Sequence, residues 1–176
     1  WTPAYAADIM EKRLRSTHLG GPEDVLAVVI ELDGTVIGDV GLWPTDKTAK
    51  VGEIGWILDP EFSGQGYAAE AVAAMLGFAF DSGMHRVAAQ RGARNTASAR
   101  LAQRVGMTLE ATHRQHWFSK GEWTDTWVFA VLADDWRARQ QDPRRAPALG
   151  RRRSGPGDLA PDREAVPAAT AATVSA

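Results

Sequence analysis

The sequence contains no cysteine, which removes several classes of protein at once. Without thiols there is no disulfide framework, no thiolate zinc site and no cysteine nucleophile to carry an acyl group. The four histidines are too scattered to predict a metal site, and no apolar run reaches the ~20 residues that cross a bilayer. A net charge of −2 lacks the basic excess typical of nucleic-acid-binding domains. We therefore expect a cytoplasmic protein with no metal, no membrane association and no nucleic-acid partner.

The composition changes near Asp142. Residues 142–176 contain five of the nine prolines, no aromatic residue, and six arginines against four acidic residues. Such a segment buries too little apolar surface to offset the entropy of ordering, so we predict a disordered Pro/Ala/Arg-rich tail. The other 14 basic and 18 acidic residues give residues 1–141 a charge of −4, and their length suits one domain. A tail that binds an acidic partner through Arg151–Arg153 is the alternative interpretation.

Residues 1–141 show an ordered series of helix and strand patterns. Apolar residues at helical spacing predict helices at Ala4–Leu19, Gln65–Asp81 and Thr96–Val105. Runs rich in β-branched and aromatic residues predict strands at Val25–Leu32, Val36–Trp43, Lys50–Leu58, Val87–Arg91, Thr108–Phe118 and Glu122–Leu132. The dipeptides Asp33-Gly34 and Lys120-Gly121 predict hairpin turns. This order predicts an α+β fold with an antiparallel meander first and one crossover later.

A glycine turn, Gly64-Gln65-Gly66, joins the third predicted strand to the next helix. Glycines allow the backbone to approach a ligand closely, and the following helix N-terminus offers unpaired N–H groups and a partial positive charge. The turn therefore predicts a pyrophosphate site, with an ordinary turn as the alternative. A Rossmann dinucleotide unit is disfavoured because an antiparallel hairpin precedes the glycines. A Walker-type phosphate loop is excluded because no Gly-Lys-Ser/Thr follows them.

Three segments in the same order resemble one protein family. They are Gly55–Phe62 followed by Gly64-Gln65-Gly66-Tyr67-Ala68 and Glu70-Ala71, then Asn95, Ser98, Arg104, Gly106 and Met107, then Gly121-Glu122-Trp123-x-Asp125 with Trp136. From about Val25 to Trp136 the sequence resembles the GNAT N-acetyltransferase superfamily, in the branch typified by the RimJ/RimL ribosomal-protein N-terminal acetyltransferases. The resemblance implies a mixed, mostly antiparallel sheet with flanking helices and a splayed central strand pair. It also implies that the family's first strand would lie upstream of Trp1.

The resemblance implies an acetyl-CoA site. The pantetheine arm would lie between the third strand and Val87–Arg91, against main-chain atoms of Trp56, Ile57 and Leu58. The pyrophosphate would lie on the N–H groups of Gly64, Gln65, Gly66, Tyr67 and Ala68, and Asn95 would reach the pantetheine from the next helix. One or two of the arginines near that helix would contact the nucleotide phosphates, with a merely exposed face as the alternative. The arginines are Arg91, Arg94, Arg100 and Arg104.

The reaction that the resemblance implies is direct attack of a primary amine on the thioester in a ternary complex. The amine must lose a proton, and Glu53 is the candidate base, with a structural strand glutamate as the alternative. Many members of the superfamily carry a tyrosine acid seven residues after the helix asparagine, but this sequence has Ala102 there. Ser98 is the candidate proton donor in its place, with a packing or capping role as the alternative.

The sequence does not determine the acceptor amine or the oligomeric state. The acceptor would be a protein N-terminus or a small-molecule amine, and the protein a monomer or a homodimer. Because Ala102 replaces the tyrosine and the N-terminal segment is absent, a catalytically weak acyl-CoA-binding module is the alternative function.

Overall fold

The computed structural model describes residues 25–142. The predicted helix Ala4–Leu19 and residues 143–176 of the predicted tail lie outside the described residues. The division into a domain of residues 1–141 and a tail of residues 142–176 therefore stays a prediction.

Six described strands form one mixed sheet in the order β1-β2-β3-β4-β6-β5. The strands are β1 (Leu26–Leu32), β2 (Thr35–Pro44), β3 (Val51–Leu58), β4 (Arg86–Gly92), β5 (Thr108–Ser119) and β6 (Glu122–Leu132). In this sheet β3 and β4 are parallel, and the other neighbouring strands are antiparallel. The predicted α+β class, the initial meander and the crossover between β3 and β4 are confirmed.

Both predicted hairpin turns have the backbone that their sequences favour. Asp33 and Gly34 have φ angles of 49° and 81°, and Lys120 and Gly121 have φ angles of 53° and 83°. Two successive positive φ angles match the right-handed twist of the flanking strands, and glycine adopts them at no steric cost. These turns set the register of β1 with β2 and of β5 with β6.

Three helices are described: α1 (Tyr67–Asp81), α2 (Thr96–Arg104) and α3 (Ala133–Gln141). Helix α1 buries one face against the sheet. A fully buried valine, leucine, methionine or phenylalanine side chain on this face contributes roughly 1.5–3 kcal/mol to the stability of the fold. Its buried residues are Ala68, Val72, Ala73, Met75, Leu76, Ala79 and Phe80. All of these except Ala68 share one core with Val40, Leu42, Ile54, Val87 and Phe129 of the sheet.

Helix α3 was not predicted from the sequence, whose last predicted element ends at Leu132. Its residues are mostly charged or polar, and within it only Ala133 and Trp136 are buried, so no apolar period marks it. Trp136 packs against Phe80 with ring centroids 5.9 Å apart. Arg139 donates from Nη2 to the carbonyl of Arg104 at 3.5 Å, which joins α3 to the end of α2.

The parallel strands separate soon after they meet. Only the pairs Val51–Arg86, Gly52–Val87 and Glu53–Ala88 are formed between β3 and β4. Beyond Glu53 the described β3 residues pair with β2 alone, and the corresponding part of β4 pairs with β6. The predicted splay of the central strand pair is therefore confirmed, and it leaves one edge of Ile54–Leu58 without a strand partner in the described sheet.

Candidate active site

A cleft of about 640 Å³ lies between the end of β3, the glycine turn and α2. This volume falls in the usual range of small-molecule sites, roughly 300–1,000 Å³. Its walls are formed by Trp56, Ile57, Leu58, Ser63, Gly64, Gly66, Ala68, Ala69, Asn95, Ala97, Ser98, Arg100, Leu101 and Arg104. The cleft thus unites the glycine turn and the helix that follows β4, two segments that lie about 30 positions apart in the sequence.

The glycine turn forms one end of the cleft. Gly64 and Gly66 have φ angles of 80° and 97°, and no heavy atom of the described residues lies within 4 Å of the point where either Cβ would stand. Gly66 is the N-cap of α1, so no side chain covers the first N–H groups of that helix. An open backbone cradle at a helix N-terminus suits an anionic group, and it fits the predicted pyrophosphate.

The structure brings most of the predicted cofactor-binding residues into one wall. Trp56, Ile57, Leu58, Gly64, Gly66, Ala68 and Asn95 line the cleft, whereas the side chains of Gln65 and Tyr67 do not. The Tyr67 hydroxyl donates to Oε1 of Gln65 at 3.3 Å, so these two side chains bond to each other. Their predicted contribution is through backbone N–H groups, and it stays a prediction.

Sequence reasoning missed four small or apolar lining residues: Ser63, Ala69, Ala97 and Leu101. Each is a neighbour of a predicted residue on the turn or on a helix, and adjacency along the chain was the available signal. None carries a charge or a special backbone angle that would single it out.

Asn95 and Ser98 meet at the start of α2. The Asn95 side-chain oxygen accepts a hydrogen bond from the backbone N–H of Ser98 at 3.0 Å, so Asn95 is the helix N-cap. The capping role considered for Ser98 therefore belongs to Asn95. Because Ser98 lines the cleft, its packing and its proton-donor roles stay as the two interpretations.

Glu53 lies at the point where the strands begin to separate, in the last pair between β3 and β4. Its Oε2 accepts a hydrogen bond from Nε2 of Gln90 at 3.2 Å, which orients the carboxylate. Glu53 is not one of the residues that line the cleft. Its role as base stays a prediction.

The four arginines near α2 occupy three different environments. Arg94 forms an exposed ion pair with Glu122 on the β5–β6 turn. Arg91 is largely buried beside Trp56, and burial lowers its pKa to about 10 while the charge of Glu53 opposes that shift. Arg100 and Arg104 line the cleft, and the predicted phosphate contact of one or two of these arginines stays a prediction.

Position 102, where many superfamily members have a tyrosine, does not reach the cleft. Ala102 is fully buried on the core side of α2. Its methyl group packs with the cluster that includes Val105 and Met107. No hydroxyl from this position is therefore available to the cleft.

Similarity searches agree with this architecture. The model of the acetyltransferase (GNAT) domain family matches residues 1–108. YnaD, an uncharacterized N-acetyltransferase of Bacillus subtilis (strain 168), is 33% identical over 85 residues, which cover 48% of this chain and 50% of YnaD. The ribosomal-protein-S5-alanine acetyltransferase of Vibrio fischeri is 27% identical with a TM-score of 0.54, over 59% of this chain and 58% of that one. YncA, a putative acetyltransferase of Salmonella typhimurium solved with its cofactor acetyl-CoA, has a TM-score of 0.57 at 24% identity, over 60% of this chain and 63% of YncA.

A splayed mixed sheet that leads through a glycine turn into a helix N-terminus defines an acetyltransferase-type domain. The chain belongs to the GNAT acetyltransferase family, whose model covers more than half of its residues. This confirms the family resemblance of the sequence. The chain spans half the length of YnaD.

Two further observations concern the described stretch. Among residues 25–142, none of the helices combines the length and the apolar character needed to cross a membrane. The same residues contain no group of three or more histidine, cysteine, aspartate or glutamate side chains placed to hold a metal ion.

Proposed function

We propose that the protein is a cytoplasmic enzyme that transfers an acetyl group from acetyl-CoA to a primary amine. The observation that carries this proposal is the continuous cleft from the free edge of β3 to the glycine turn. The open backbone at Gly64 and Gly66 suits the pyrophosphate, and the strand edge at Trp56–Leu58, which has no strand partner, suits the amide groups of the pantetheine arm. Arg100 and Arg104 add positive charge along the same wall.

The proposed chemistry is direct transfer in a ternary complex. Acetyl-CoA supplies the acetyl group as an activated thioester. The bond from the amine nitrogen to the acetyl carbon forms and the carbon–sulfur bond breaks. Glu53 accepts the proton that the amine loses, and the Ser98 hydroxyl donates a proton to the departing thiolate. Solvent water then carries the proton from Glu53 back to Ser98, so the products are the acetylated amine and the free thiol of CoA. Backbone N–H groups on the free edge of β3 stabilise the charge that develops on the carbonyl oxygen.

The acceptor belongs to the class of primary amines, as a protein N-terminus or a small amine. The Vibrio fischeri relative is named for acetylation of a ribosomal-protein alanine, which supports the RimJ/RimL-like branch and a protein N-terminus. The charge of −4 on residues 1–141 favours a cationic acceptor of either kind.

A second candidate function is an acyl-CoA-binding module with weak or no turnover. The burial of Ala102 favours it, because the position that supplies the acid in many superfamily members has no hydroxyl and no access to the cleft. The two functions share the cleft and differ in whether thiol is released.

The deciding experiment is thermal unfolding of the full chain with and without acetyl-CoA, followed by a thiol-release assay. A ligand at ~100 times its dissociation constant adds roughly 2.7 kcal/mol to the native state. For a chain of this size, the midpoint should rise by about 5–11 °C. NADH at the same concentration is the control, and it should leave the midpoint unchanged because a Rossmann unit is absent from the described fold.

Turnover then separates the two candidate functions. Thiol release in the presence of a peptide with an N-terminal alanine or of spermidine would identify an enzyme. A midpoint shift without thiol release from any amine would identify the binding module. A cooperative transition that acetyl-CoA does not move would refute both.

A further inference from the structure

Arg91 occupies the gap where β3 and β4 separate. Its Nη2 donates to the carbonyl oxygen of Ile54 at 3.4 Å. Ile54 is the first β3 residue beyond the last pair between the two strands, Glu53–Ala88. A side chain from β4 therefore takes up a carbonyl that the neighbouring strand would satisfy if the pairing continued.

The same guanidinium group supports a wall of the cleft. Its central carbon lies 4.0 Å from the ring centroid of Trp56, the geometry of a cation–π contact. Trp56 itself lines the cleft and packs against the hydrophobic core. Arg91 thus joins β4 to two positions of β3, the main-chain carbonyl of Ile54 and the ring of Trp56.

The local sequence leaves space for this arrangement. A Cβ on Gly55 would stand 3.2 Å from the Trp43 ring and 4.0 Å from Nη2 of Arg91. The Arg91 Nε is buried and has no hydrogen-bond partner among residues 25–142. A buried cation with an unpaired donor is costly, and its presence between two strands calls for a compensating role.

We infer that Arg91 is a positioning residue for acyl-CoA, which holds the splay at a fixed width and keeps Trp56 in the wall of the cleft. This inference rests on the proposed function. Arginine suits the role because one planar group stacks on a ring and donates in its own plane, whereas the compact lysine ammonium cannot do both. Without it, the free edge of β3 and the Trp56 ring lose the contact that ties them to β4.

The test compares the binding of two ligands by full-length variants in isothermal titration calorimetry. Acetyl-CoA extends along the splay, whereas 3′-phospho-ADP, the nucleotide part of CoA, reaches only the glycine turn. Arg91→Met should raise the Kd for acetyl-CoA about tenfold, the scale of a desolvated cation–π contact, and leave the Kd for 3′-phospho-ADP within about twofold. Arg91→Lys should show the same pattern, because lysine keeps the charge but not the planar contact. Arg137→Met, the same change at an exposed arginine on α3, should bind both ligands as the wild type does.

A double-mutant cycle tests the route through Trp56. Trp56→Leu should weaken acetyl-CoA binding. The double variant Arg91→Met/Trp56→Leu should bind acetyl-CoA about as well as whichever single variant binds it more weakly, because the losses in binding free energy from two residues in contact are not additive. Additive losses would contradict the role of Trp56.

The remaining outcomes are also decisive. Equal Kd values for acetyl-CoA in Arg91→Met and Arg137→Met would overturn the inference, and so would a parallel loss of both ligands, which indicates general damage to the fold. If Arg91→Met does not unfold cooperatively, Arg91→Lys decides by the same two Kd values. A wild type that binds neither ligand refutes the proposed function, whereas tight wild-type binding with unaffected variants refutes this inference alone.

Discussion

At the scale of single residues, the two candidate catalytic groups come from different parts of the fold. Glu53 is held by Gln90 at the opening of the splay, and Ser98 lies on α2 in the wall of the cleft. Asn95 performs the capping of α2, which leaves the Ser98 side chain free of that duty. Ser98 therefore lines the cleft, whereas Glu53 lies at its margin, in the last pair between β3 and β4.

Removal of these groups should reduce turnover and spare cofactor binding. In Glu53→Gln, the side-chain oxygen can still accept the hydrogen bond from the Gln90 amide, but the side chain cannot take up the proton of the amine. The value of kcat should therefore fall about 10²–10⁴-fold. Ser98→Ala should lower kcat by a smaller factor, about tenfold, since a water can protonate a thiolate that leaves easily. Steady-state thiol release measures both, and Glu31→Gln, at an exposed position of β1, is the matched control. Unchanged kcat in both variants would show that other groups perform the proton transfers.

The residue scale also shows a limit of sequence-based prediction. The sequence groups Arg91 with three other arginines because all four lie near the helix of the predicted acetyl-CoA site, as phosphate contacts or as an exposed face. The structure buries it on Trp56, and nothing in the local sequence distinguishes it from Arg94, which is exposed. Burial of a charged side chain depends on the separation of two strands that are far apart in the chain, and no local pattern reports it.

At the scale of elements, the strands and the two predicted helices that fall within residues 25–142 follow their local patterns closely. Strand β6 has the predicted bounds, and α2 differs from its prediction by one residue at its end. Turn dipeptides and strong apolar periods fix these elements locally. The helix α3 was missed because its stability comes from Trp136 and Arg139, two long-range contacts on an otherwise polar segment. The glycine turn was found as a motif, but only the fold shows that Arg100 and Arg104 face the same cleft.

The start of α2 offers a matched pair of substitutions. Asn95→Ala removes the N-cap and should lower the free energy of unfolding by about 0.5–2 kcal/mol. Asn95→Asp keeps an acceptor oxygen and adds a charge that suits a helix N-terminus, so it should unfold as the wild type does. Urea denaturation followed by circular dichroism measures both.

The same pair separates the cap from the predicted contact with pantetheine. Asn95→Asp lacks the amide donor, so it should bind acetyl-CoA more weakly than the wild type despite its normal stability. If Asn95→Asp binds acetyl-CoA with the wild-type Kd, Asn95 serves only the helix.

At the scale of the whole molecule, three carboxylates tie separate regions together. Asp46 closes the β2–β3 connection, where a hydrogen bond from the Thr48 hydroxyl is the main cause that lowers its pKa. Hydrogen bonds from Arg86 lower the pKa of Glu110, and those from Arg94 lower the pKa of Glu122. These contacts join β2 to β3, β4 to β5, and the loop before α2 to the β5–β6 turn.

Their pKa values predict how stability depends on pH. A carboxyl group with a lower pKa in the folded state than in the unfolded state binds fewer protons when folded, so it stabilises the fold above the unfolded-state pKa of about 4–4.5. That stabilisation should be lost as the pH falls from the unfolded-state pKa through the lower folded-state pKa values. In urea denaturation from pH 7 to pH 3, the contribution of these three carboxylates to the midpoint should therefore be constant near neutrality. The midpoint should decrease once the pH is below about 4.5.

A double variant checks the source of the acid sensitivity. Asp46→Asn combined with Glu122→Gln should be less stable than the wild type at pH 7, and the two curves should converge at low pH, where the wild-type carboxylates are protonated. Curves that stay parallel over the whole range would place the acid sensitivity elsewhere.

The junction of α2 and α3 depends on the absence of a side chain at position 106. Gly106 has a φ angle of 99°, and a Cβ there would stand 2.7 Å from Nε of Arg139, whose guanidinium donates to the last carbonyl of α2. A side chain at 106 would therefore strain the backbone and displace Arg139 from that carbonyl. Helix α3 lies outside the matched part of the family model, yet through Gly106 and Arg139 it supports the helix that forms one wall of the cleft.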